Sequence, residues 1–253
     1  LTIANGVSSV ITSAATADID QSYQAIAGAD GTGENLTLMA GNNAASTITV
    51  AGTITNIDTL AITDAGIVNF NAAVTVDTLT IPTAVNNVSM IGGGTITDAV
   101  TFANVGTLVI GGDGITTTFN GGLTAVTQAD GVAAISLRGN IVTSEDQITL
   151  GTAAKKIRLL GDTVINTAGA GAINLNGAIS GVLAGGGDDL TINTTGVVTI
   201  AGAMTEVVEL TTNAGGSTVL SNGNITTTGA ITIGDTLTIA NGVSSVITSA
   251  ATA

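Results

Sequence analysis

The chain has no cysteine, no histidine, no tryptophan, a single proline (Pro82) and only four basic residues among 253. Each absence closes a route. Without cysteine there are no disulfides and no thiol chemistry, a state compatible with export of a long surface protein. Without histidine or cysteine, Ser-His-Asp and Cys-His catalysis and the usual zinc centres have no residues to use. Carboxylates do occur in pairs, Glu145-Asp146 and Asp188-Asp189. Neighbours on a strand point to opposite faces, however, so adjacency is poor support for a shared acid–base site. The chain reads as non-enzymatic.

Positive charge is scarce as well. Eighteen acidic residues against four basic ones leave a formal charge of −14, which repels nucleic acid and anionic lipid. No run approaches about 18 consecutive apolar residues, so no membrane span is expected. No basic stretch precedes Leu1, and no signal peptide is expected within the sequence. Aromatics make up 2% of the chain (Tyr23, Phe70, Phe102 and Phe119) although 44% of it is hydrophobic. The core must therefore be built from Ala, Val, Ile and Leu. A β-sandwich core is about 10 Å thick and tends to use buried aromatics. The scarcity of aromatics favours a narrow tube instead.

What the sequence does have is repetition. Leu1 to Ala17 (LTIANGVSSVITSAATA) returns letter for letter at Leu237 to Ala253. The offset, 237 minus 1, is 236 residues, so 1–236 reads as one tandem period and 237–253 as the start of the next copy, all within one continuous solenoid segment. On that reading Leu1 and Leu237 lie one period apart on a single axis, in equivalent positions.

Within the period a short rung recurs: a polar residue, Thr or similar, then Leu-x-Ile or Leu-x-Leu. Leu36, Leu60, Ile62, Leu79, Ile81, Leu108, Ile110, Leu190, Ile192, Leu237 and Ile239 are its apolar positions, and alternation predicts that they face inward. Gly and Asn punctuate the rungs at Asn5-Gly6, Asn120-Gly121-Gly122, Asn176-Gly177 and Asn222-Gly223. The predicted fold is all-β, a parallel β-helix (β-solenoid) with short strands and essentially no helix; 14–29 reads as a loop or a turn of helix. With roughly 20 residues per coil there would be about 11 to 12 coils, and at about 4.8 Å per coil a length on the order of 55 Å.

Candidate sites are few. Asp18, Asp20, Asp30, Asp113 and Asp130 stand in or near Asp-Gly turns and are weak calcium candidates, although neither an EF-hand loop nor a complete nonapeptide calcium repeat is present. All four cations, Arg138, Lys155, Lys156 and Arg158, fall within one short stretch near Glu145 and Asp146. They read as local ion pairs or as a contact patch for an acidic partner. Thr-x-Thr recurs at Thr47/Thr49, Thr53/Thr55, Thr95/Thr97, Thr116/Thr118 and Thr226/Thr228, which admits an ice-binding face, but the spacing is not one coil.

The phrases Asp77-Thr78-Leu79-Thr80-Ile81, Gly52-Thr53-Ile54-Thr55-Asn56 and Gly229-Ala230-Ile231-Thr232-Ile233-Gly234, with the long period, resemble the passenger regions of rickettsial outer-membrane protein A and B autotransporters and related S-layer-like adhesins. The resemblance is one of composition along the whole chain. It implies secretion to the bacterial cell surface, a β-helical passenger, and a role in adhesion or a protective layer. The expected partners are further copies of the chain itself, or a host molecule or glycan held by loops such as 18–34 or 127–141.

Overall fold

The structure is a computed structural model that describes residues 1–12, 20–30, 32–41, 43–128, 131–182 and 188–250, with only the backbone of 131–133. Among these residues there is no helix, hence none long and apolar enough to cross a membrane. The strands stack in parallel as a β-solenoid. Three ladders run along it, which we call the first, second and third faces.

The first face begins with Thr2–Ile3 and Ile26–Gly28 and climbs to Ile231–Ile233. The second begins with Ser8–Thr12 and 35–38 and ends at Thr236–Ile239. The third begins with Asp20–Tyr23 and Thr47–Val50 and ends at Ile247–Ser249. Each face takes ten steps and so holds eleven rungs. Successive rungs lie 19 to 28 residues apart, as from Leu60 to Leu79 and from Ile26 to Ile54.

Alternation makes the rungs. β-branched and leucine side chains at every second position point inward and stack on like residues in the coils above and below. One second-face column runs Leu38, Ile62, Ile81, Phe102, Ala125, Leu150, Leu175, Ile200, Leu220 and Ile239. The three phenylalanines are fully buried, and Phe102 meets Phe119 edge-on with ring centroids 6.0 Å apart. Corners use glycine where the coils close in. Gly139 has φ 73°, and a Cβ there would stand 2.2 Å from the Gly112 carbonyl oxygen. At another corner the buried amides of Asn104 and Gln128 bond each other (3.0 Å), and Gln128 also donates to the Phe102 carbonyl (2.8 Å).

Leu36, Leu60, Ile62, Leu79, Ile81, Leu108, Ile110, Leu190 and Ile192 are all buried. Leu237 and Ile239 depart from the expected burial. They keep the inward register, paired with Thr218 and Leu220, but are 38% and 41% exposed because no described coil lies over them. The rungs also do not form one series. Leu36, Leu60 and Leu79 share the second face, Leu108 lies on the third and Leu190 on the first. This is why their sequence spacing is irregular. In the stretch read as loop or helix, Asp20–Tyr23 and Ile26–Gly28 are strands.

Leu108 lies between Val88 and Ile135 in its column and is fully buried. Leu108→Asp should lose about 3–5 kcal/mol in urea unfolding, since it strands a charge in the core. Val109→Asp, on the outward side of the same rung, should stay within about 0.5 kcal/mol of the parent. Equal effects for the two would overturn the inward assignment.

Candidate functional site

The sequence suggested one cation patch; the solenoid divides it. Arg138 stands where the chain turns from the third face to the first, and its guanidinium Nε pairs with Asp113 Oδ1 of the preceding coil. It pairs with neither Glu145 nor Asp146. Lys155, Lys156 and Arg158 lie on the rung 155–159 of the third face. Arg158 belongs to the outward file Ser136, Arg158, Ser180, Thr205. Among the described residues, the side chains of Lys156 and Arg158 make no hydrogen bond or ion pair.

A dent opens beside them, with a volume of about 320 Å³, lined by Lys156, Arg158, Ser180, Gly181, Thr205 and Glu206. Its origin is local. The middle rung, Ile179–Ser180, is only two residues long, and the rung above it carries a register shift between Met204 and Val207. Glu206 sits at that shift with φ 61°, and its carbonyl oxygen would be 2.0 Å from a Cβ on Gly181. The result is a shallow groove with two cations, two hydroxyls and one carboxylate at its edge. That set suits a polyhydroxylated or anionic ligand held from one side.

Above Arg138, the corner turns acidic. Asp162, Asp189 and Glu209 follow one another on successive coils, with the Asp189 amide donating to Asp162 Oδ1 (3.2 Å) and the Glu209 amide to Asp189 Oδ1 (3.0 Å). Partial burial, then the neighbouring Asp162, Glu209 and Asp188 carboxylates, raise the Asp189 pKa, opposed by the Glu209 amide. Asp188 turns the other way and accepts the Val182 amide, so the Asp188-Asp189 pair does not converge.

The calcium candidates are not brought together. Asp18 and Asp130 lie outside the described residues. Asp20 accepts the Thr47 hydroxyl at 2.6 Å, and Asp113 is taken by Arg138. Asp30 accepts the Thr32 hydroxyl and amide at 2.7 and 3.1 Å and a hydrogen bond from Asn5, and the Thr32 bonds hold its carboxyl below the usual range. Among the described residues no three acidic side chains are close enough to hold a metal ion.

Sequence reasoning missed Glu34. It is fully buried, and its Oε1 accepts the Gly6 amide at 3.2 Å. It also missed a file of hydroxyls. Thr80, Thr101, Thr124 and Thr149 stack one per coil on the outside of the second face, supplied by the middle residue of each rung. The Thr-x-Thr pairs fall elsewhere: Thr47/Thr49 on the third face, Thr116/Thr118 on the first. The segments 18–34 and 127–141, read as binding loops, are largely rungs where they are described.

Neither protein-family models, nor curated proteins, nor solved structures give a match to the chain.

Asp189→Asn keeps the acceptor for the Glu209 amide and removes the repelled charge. A raised folded-state pKa means that stability is full below the ordinary aspartate range and is lost as pH rises through the folded value. The variant should therefore melt higher than the parent at pH 7, with the difference vanishing in acid below the ordinary aspartate range. Melting curves across that range check it; a variant that melts lower at pH 7 would contradict the repulsion.

Proposed function

We propose that this chain is a repeat segment of a long, non-enzymatic structural filament or surface layer, built from stacked β-solenoid coils and displayed outside a bacterial cell. One observation carries the reading. The sequence at 1–12 is covered by the coil that follows it, through the pairings of Thr2–Ile3 with Ala27 and Gly28 and of Ser8–Thr12 with 35–39. The same sequence at 237–248 forms the last described coil, where Ile239 is 41% exposed although its twin Ile3 is buried, and Ile247 is exposed although its twin Ile11 packs against the core. A strand edge that is paired with a following coil in one copy and bare in the other is a joining surface. Lack of cysteine, the acidic balance and the composition shared with autotransporter passengers support an extracellular setting.

The lining groove of Lys156 and Arg158 favours a second reading, an adhesin segment that holds a host molecule or glycan. The two readings separate in solution. On the filament reading, purified chains associate end to end as concentration rises, seen by sedimentation and negative-stain microscopy. Ile239→Lys with Ile247→Lys should keep them single without lowering the melting temperature, because both positions are already exposed. Chains that stay single at every concentration would count against the filament. On the adhesin reading, a sulfated polysaccharide column retains the parent at low salt, and Lys156→Glu with Arg158→Glu abolishes retention. Equal elution of the two would remove the glycan reading.

A further inference from the structure

We infer that successive copies of the 236-residue period are set one face apart around a common axis, so that the coil formed by 237–250 is the seat for a copy of this chain's own residues 25–39. The inference rests on the filament reading and adds its geometry.

The duplicated sequence does not occupy equivalent faces. Thr2–Ile3 lies on the first face and Ser8–Thr12 on the second. Their twins lie one face on: Thr238–Ile239 on the second, and Ile247–Thr248, the twins of Ile11–Thr12, on the third. The expected single axis is there, but the expected equivalence of Leu1 and Leu237 is not: each element has moved on by one face.

Coil length gives the same answer. The column of Ile26 passes through Ile54, Val74, Gly94, Thr117, Ile141, Ile165, Ile192 and Thr212 to Ile233. It climbs 207 residues, 233 minus 26, in nine steps, a mean of 23. Ten such coils take 230 of the 236 residues, and the six left over carry the chain round a corner onto the next face. Side-chain chemistry permits the shift, because the rung is indifferent to its face. Leu190-Thr191-Ile192 lies on the first face, Leu79-Thr80-Ile81 on the second and Leu108-Val109-Ile110 on the third.

The seat is specified in detail by the first copy. There the Leu1 carbonyl accepts the Ala27 amide (2.9 Å) and the Val7 carbonyl accepts the Asn35 amide (3.1 Å). The Gly6 amide donates to buried Glu34 (3.2 Å), and Asn5 donates to Asp30. The second copy presents the same groups in the same local shape. Val243 closes on Ala240 at 3.1 Å as Val7 closes on Ala4 at 3.1 Å, and Gly242 and Gly6 share a positive φ of 77° and 65°. What fits 1–12 therefore fits 237–248. The occupant is a copy of the segment that carries Asp30, Glu34 and Asn35.

Two measurements test this. In the present chain, Val219→Cys with Thr238→Cys should oxidise to an intramolecular disulfide, because Val219 and Thr238 are paired on the second face. Asn213→Cys with Thr238→Cys should not, since that pair meets only if residue 238 sits on the first face. In a chain lengthened by a second copy of residues 18–236, amide exchange over 237–248 should slow by about tenfold or more relative to the present chain. Slowed exchange with the Val219 disulfide is the expected result. Slowed exchange with the Asn213 disulfide would keep the filament and overturn the one-face shift. Unchanged exchange would overturn the seat and the filament reading with it.

Discussion

The hydrogen bonds that run along the axis, from each coil to the next, are the interaction on which everything else in the molecule depends. Because these ladders are parallel and in register, each side chain is set about 4.8 Å from its counterpart above and below. Leucine then stacks on leucine, threonine on threonine and carboxylate on carboxylate. The first of these produces the core, the second a hydroxylated exterior such as the Thr80 to Thr149 file, and the third the strained corner at Asp162, Asp189 and Glu209. One constraint is favourable in the interior, neutral on the faces and costly at an acidic corner.

The rungs were legible in the sequence because their period of two survives wherever they sit. Leu108 and Leu190 are inward for the same reason that Leu36 is. Which face each rung occupies was not legible, because that depends on the length of the corners. Coils of 19 to 28 residues hide the corner count from any spacing argument. The cation patch shows the same limit. Arg138 and Arg158 are close in sequence, but one turns a corner toward Asp113 while the other lies on a face beside Ser180. Glu34 carries no local signal at all, since its partner is the backbone of Gly6, 28 residues earlier.

Polar groups divide by position. Hydroxyls and amides line the faces, where a flat ladder lets them bond from coil to coil, as Asn69 does with Thr49 and Asn87 with Thr107. Carboxylates gather at corners, where Asp77 accepts the Thr97 hydroxyl at 2.9 Å and solvent weakens like-charge repulsion. The groove beside Lys156 departs from this plan. It exists because one rung is short and the next is out of register, so that the wall gives way there. An irregularity in an otherwise repetitive surface is where a specific contact can be localised.

The ladders also fix how such a structure answers to force. Strands lie across the axis and their bonds along it, so tension applied through the chain ends opens one coil before loading the next. Each coil that peels away frees a mean of 23 residues, roughly 75 to 80 Å of extended chain where about 4.8 Å had been. A solenoid of this design lengthens under load in small, repeated steps, and each step leaves the coils beneath it intact and ready to take the chain back.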